Sequence, residues 1–199
     1  MKKIIKMMAM ALVAVTMIAG LSACSSSDDD NTTPEKKEIT VRTTISYGIN
    51  SYIKEDKAVY PGVLCNPDFV KTTITYYDEN NNEVTEEVKD GKFSKTITYK
   101  KFPVKTGYTI NYELLDENNI DLSEKYSLIC QKNTPDIYIM EGEKVLDHIQ
   151  AESSTQKFYT EPNQYTKVKD FKNIFKKYLP TFSVYYTIQA DGSYVRGRN

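Results

Sequence analysis

Tryptophan is absent from these 199 residues, histidine occurs once, cysteine three times, and the eight glycines never cluster. That poverty excludes a Cys/His set at zinc spacing, a nucleophile elbow and a glycine-rich phosphate loop. A surplus of one charge is missing too: 26 basic and 27 acidic residues leave a formal −1, which excludes general electrostatic binding of nucleic acid. No apolar run is long enough to span a bilayer as a permanent helix, which takes about 20 residues; the longest covers residues 7–19. What remains is an ordinary soluble composition, 40% hydrophobic and 27% charged, which rules out a collagen-like fibre and a wholly disordered chain. The length suits one domain or two small ones.

The short apolar run has a context. Lys2, Lys3 and Lys6 precede it, and Gly20 and Leu21-Ser22-Ala23-Cys24 follow. A charged region, a hydrophobic region and a small-residue cleavage site together make residues 1–23 a signal peptide. Leu-Ser-Ala-Cys resembles a bacterial lipobox. The resemblance implies cleavage before Cys24, diacylation of its sulfur and acylation of the new amino group, so that Cys24 anchors the protein in a membrane. The remaining 176 residues carry 23 basic and 27 acidic groups, a net −4. Residues 25–34 contain no aliphatic or aromatic side chain, so residues 24–38 read as the lipidated cysteine and a disordered tether with a reach of about 20 Å. Asp28, Asp29 and Asp30 resemble the surface-export signal of Bacteroidota-type lipoproteins. That resemblance covers residues 1 to about 34 and implies an outer-membrane lipoprotein facing the cell exterior.

From Ile39 onward the dominant period is two. Tyr108, Ile110, Tyr112 and Leu114 alternate with Thr109, Asn111 and Glu113, as in a strand with one buried and one wet face. Phe93, Ile97 and Tyr99 alternate in the same way, with Lys95 breaking the apolar phase. Further Thr-, Val-, Ile- and Tyr-rich runs at 39–47, 58–64, 70–77, 83–88, 124–130, 136–140 and 182–189 make nine expected strands. Asn-, Asp- and Gly-rich reversals at 78–82, 90–91, 116–119, 141–142 and 191–192 join them as antiparallel hairpins. One segment differs. Over residues 166–179, Val168, Phe171, Ile174, Phe175, Tyr178 and Leu179 share one arc at 100° per residue and lysines fill the other, which predicts an amphipathic helix stopped by Pro180 and docked on a sheet. The expected fold is therefore mainly β: an antiparallel, immunoglobulin-like β-sandwich with one C-terminal amphipathic helix. It occupies residues 39–199, with a candidate sub-boundary near 132–135.

Little of this chemistry is catalytic. Cys65 and Cys130 stand at a spacing that suits an inter-sheet disulfide closing a loop of about 65 residues, worth roughly 4 kcal/mol; two buried thiols are the equal alternative. His148 is the only candidate base and has no partner set, so it reads as a half-buried or surface histidine. Residues 78–82 space oxygen ligands like a calcium loop, but Glu83 and Lys89 stand where Gly and Glu are needed, and a polar hairpin tip fits better. No metal, cofactor or catalytic residue is assigned. The abundant residue is tyrosine, 16 in all, a rigid amphipathic contact group. In Tyr76-Tyr77, Phe158-Tyr159 and Tyr185-Tyr186, adjacent strand positions face opposite ways, so one ring of each pair is the expected binding aromatic. The function expected is that of a lipid-anchored surface module binding a glycan or a protein. An accessory subunit of an outer-membrane complex is the alternative, and a small hydrolase the weakest.

Overall fold

Alternation produces strands where expected. The computed structural model describes residues 38–49 and 67–197. Along them run β1 (Ile39–Ile49), a 3-10 turn (Pro67–Phe69), β2 (Val70–Tyr77), β3 (Glu83–Glu87), β4 (Lys92–Tyr99), β5 (Val104–Leu114), β6 (Tyr126–Asn133), β7 (Asp136–Glu141), β8 (Lys144–Ile149), β9 (Ser153–Thr160), α1 (Val168–Tyr178), β10 (Phe182–Ile188) and β11 (Tyr194–Gly197). The expected strand at 58–64 lies outside the described residues. β8, β9 and β11 have no counterpart among the expected strands; in β9, Ser153-Ser154-Thr155-Gln156-Lys157 offers no apolar alternation before Phe158.

All pairings are antiparallel and form two sheets. Sheet two has the order β11-β10-β5-β2-β3. Sheet one is built around β1. On one side β4 pairs with Val41 through Gly48; on the other, β7 takes Ile39 to Thr44 and β6 takes Tyr47 to Ile49. β6 and β7 are thus two halves of one long strand bent at Thr134-Pro135, where proline removes a ladder donor. β9 and β8 pair with those halves in turn, after a reversal at Gly142, whose φ is 59°. The bend near 132–135 falls within a single sheet.

The sheets face each other across an apolar core. Val41, Ile45, Ile97, Tyr99, Ile137 and Ile139 from sheet one meet Ile74, Tyr76, Tyr108, Ile110, Val184 and Ile188 from sheet two, all nearly or fully buried. A few polar contacts join the layers. The Thr106 hydroxyl lies 3.0 Å from that of Thr43 and 3.2 Å from that of Tyr99, and the Tyr99 hydroxyl donates to the Tyr77 carbonyl at 2.7 Å. Burial pushes the Tyr99 phenol up to about 12.

Lys95 explains the break in its strand's pattern. It shares the inward face of β4 with Ile97 and Tyr99, yet β4 is an edge strand, so its ammonium reaches the open seam between the sheets. There it meets Glu86 of β3 at 2.5 Å and the Tyr76 hydroxyl, which itself donates to Glu86. An inward-pointing charge on an edge also discourages further strands from adding.

The helix docks on its expected stripe except at Tyr178, which is 49% exposed. Phe171, Phe175 and Leu179 are buried, and the first two meet Phe158 edge-on at 5.5 and 5.4 Å. Phe69 and Tyr126 complete the aromatic cluster. Asp170 lies in the first turn and Lys176 and Lys177 in the last, matching the helix dipole. One lysine, Lys172, pairs with Glu117.

Candidate binding surface

The outward face of sheet two is polar, and its side chains run in rows fixed by the register. On this face Glu83 on β3 lies opposite Tyr77 on β2, and Gly107 on β5 lies opposite Tyr185 on β10. Gly107 decides what this part of the face looks like. Its φ is +134°, and a Cβ there would sit 2.1 Å from the Val184 carbonyl oxygen and 3.0 Å from the Tyr185 ring. Without that Cβ the rings flanking it close over the gap, 5.6 Å apart and edge to face. Both are half-buried.

Lys105, exposed on β5, completes the group. Its Nζ donates to the Tyr77 hydroxyl at 2.6 Å and stands 4.6 Å from the centroid of Tyr77 and 5.0 Å from that of Tyr185. The bond to Tyr77 holds this ammonium above the ordinary lysine value, so it stays charged at neutral pH. The Tyr77 hydroxyl in turn reaches Glu83 at 3.3 Å. Beside the rings lies a line of hydroxyls: Thr75 shares a hydrogen bond with Thr85 at 2.8 Å, and Thr109 is bonded to Ser183 at 3.0 Å and to the Tyr185 hydroxyl at 2.7 Å. Ring faces, one cation and many hydroxyls suit recognition of a hydroxylated or amphipathic ligand.

The expectation for the three aromatic pairs can now be read residue by residue. Tyr76, Phe158 and Tyr186 are core residues, at 1%, 1% and 3% exposure. Their neighbours Tyr77, Tyr159 and Tyr185 face out. Tyr77 and Tyr185 are brought together. Tyr159 belongs to sheet one, where Lys125 covers its ring at 5.2 Å and its hydroxyl donates to Glu161. Lys105 and Gly107 precede the alternation that starts at Tyr108 and so escape the sequence reading; the same alternation carried back through Val104 and Thr106 reaches both.

Other singled-out residues have structural surroundings. His148 lies on the exposed face of sheet one, stacked on Tyr138 at 4.1 Å and 10°, with Nε2 2.8 Å from Asp136 Oδ1. Arg42 covers the same tyrosine at 4.9 Å. Asp78 accepts from the backbone N–H of Asn80 and Asn82 at 2.9 and 2.8 Å, which holds its carboxyl below the usual range, and Asn81 Oδ1 accepts from the Lys105 N–H at 2.9 Å. This loop is a self-capped hairpin tip docked on β5. Cys130 is buried beside Tyr47 and Tyr112, whose phenols burial raises. Cys65, like Cys24 and Asp28, Asp29 and Asp30, lies outside the described residues. No family model matches this chain, and neither a curated protein nor a solved structure does.

Proposed function

We propose that this is a lipid-anchored protein of the cell envelope that faces the exterior and works by binding, with the outer face of sheet two as its contact surface and a glycan as its first ligand class. Catalysis is no part of this reading. The observation that carries it is the Tyr77–Lys105–Tyr185 group: two rings held edge to face over a glycine, beside one ammonium and a line of hydroxyls. Anchoring rests on the charged region, the apolar run and the lipobox that ends in Cys24. The immunoglobulin-like reading draws support from the pairing of β1 with β4 in one sheet and of β2 with β5 in the other. An accessory subunit would call for one broad apolar face. The exposed Val145 and Leu146 lie on β8, Val195 on β11 and Tyr178 on the helix, on separate elements.

The test is a panel of immobilised neutral and acidic oligosaccharides probed with the whole protein. The native protein is expected to retain at least one of them, and Tyr77→Ala and Tyr185→Ala each to weaken that binding by about tenfold or more, as for central aromatic contacts elsewhere. Unchanged binding by both variants contradicts the assignment of the face. Retention of no glycan at all contradicts the ligand class.

A further inference from the structure

α1 packs on β9, where Phe171 and Phe175 meet Phe158 and the Tyr178 carbonyl accepts from Gln156 Nε2 at 2.6 Å. Between β9 and β10 lies a cleft of about 320 Å³, lined by residues that include Glu152, Ser153, Ser154, Phe182, Ser183 and Arg196. A buried cation adjoins it. Lys132, 8% exposed, projects from β6 directly across the ladder from Ser154, and its ammonium stands 4.3 Å from the centroid of Phe182. It is thus flanked by lining residues from both sheets.

This lysine is under-provided. Its Nζ donates to Gln156 Oε1 at 2.8 Å, and among the described residues no carboxylate comes within ion-pair distance. An ammonium has three protons to place, and a buried charge without a counter-charge is costly. Desolvation accordingly holds Lys132 below the ordinary lysine value. The second cation comes from sheet two. Arg196 of β11 stands opposite the buried Tyr186, and its only ion pair among the described residues is with Glu152, at 3.8 Å, from a side chain 74% exposed. A long contact to a solvated carboxylate leaves much of the guanidinium fork available.

We propose that this cleft binds a sugar acid: the carboxylate takes the protons of Lys132 and displaces Glu152 from Arg196, a hydroxyl meets Ser154, and the ring lies against Phe182. The volume falls within the range of small-ligand pockets, and carboxylate recognition by Arg and Lys gives the strong, charge-assisted contacts. The site lies between the sheets rather than on the outer face of sheet two, so it stands or falls separately from the function proposed above.

The experiment titrates the full-length protein in detergent micelles with D-glucuronate and, separately, D-glucose, followed by calorimetry. Glucuronate is expected to bind saturably and glucose at least about tenfold more weakly, a difference of about 1.4 kcal/mol. Lys132→Met, an exchange of buried charge for an apolar chain that folds commonly tolerate, and Arg196→Gln at the rim are each expected to weaken glucuronate by about tenfold or more, with circular dichroism reporting the fold. Absence of saturable glucuronate binding to the folded native protein overturns the proposal. So does equal affinity for glucose, or undiminished glucuronate affinity in either folded variant. Should Lys132→Met fail to fold, Arg196→Gln alone decides.

Discussion

At the scale of single residues, two side-chain decisions shape the surface of this molecule, and they differ in how visible they are beforehand. Lys95 is visible as an interruption, because a lysine in the inward phase of a strand demands an explanation; its explanation, an edge position within reach of Glu86, depends on pairings that no local pattern encodes. The outward and inward members of the aromatic pairs are legible from alternation alone, since adjacent strand residues point opposite ways. That Tyr77 and Tyr185 meet is not legible: they are separated by over a hundred positions and joined only through β5. Gly107 is the residue on which this meeting depends. Its φ of +134°, and the mere 2.1 Å that would separate an added Cβ from the Val184 oxygen, leave no room for a methyl group. Gly107→Ala is therefore expected to destabilise the fold by about 1–3 kcal/mol, the range of strained and overpacked substitutions. Urea unfolding checks this, and a loss below about 0.5 kcal/mol contradicts it.

At the scale of elements, strong periodicity is a reliable guide and weak periodicity is not. β2 runs over the expected residues 70–77, and the expected helix at 166–179 is α1 (Val168–Tyr178), because each has a run of apolar residues in a consistent phase. β9 lacks such a run: it is held by eight register partners along β6 and contributes just one large apolar residue, Phe158, to the core. Long-range pairing supplies what local sequence does not. The helix gains its place chiefly through Phe171 and Phe175, since its N-cap, Lys167, makes no side-chain cap and an isolated helix of this length is marginal in water. Phe175→Ala is accordingly expected to cost about 3–5 kcal/mol, the range for a fully buried phenylalanine. Thermal unfolding with loss of helical circular dichroism measures it. A near-neutral result would mean that α1 is not packed as described.

Across the molecule as a whole, the mainly β, two-sheet character follows from hairpin-sized spacings and turn residues, whereas the sheet order does not. Nothing local indicates that β1 lies between β4 and the bent ribbon of β6 and β7, or that β10 joins β5 after an excursion of nearly seventy residues through sheet one and the helix. The candidate surface is legible in its residue types and hidden in its assembly, for the same reason. The proposed location comes from the other end of the chain, from Cys24 and the acidic triplet behind it, and it determines which ligands the binding faces would meet. Protease shaving of intact cells tests that claim most directly. Comparison of the native protein with a variant carrying Asp28→Ala, Asp29→Ala and Asp30→Ala is expected to show digestion of the native domain and protection of the variant, whereas protection of the native domain on intact cells would contradict surface display.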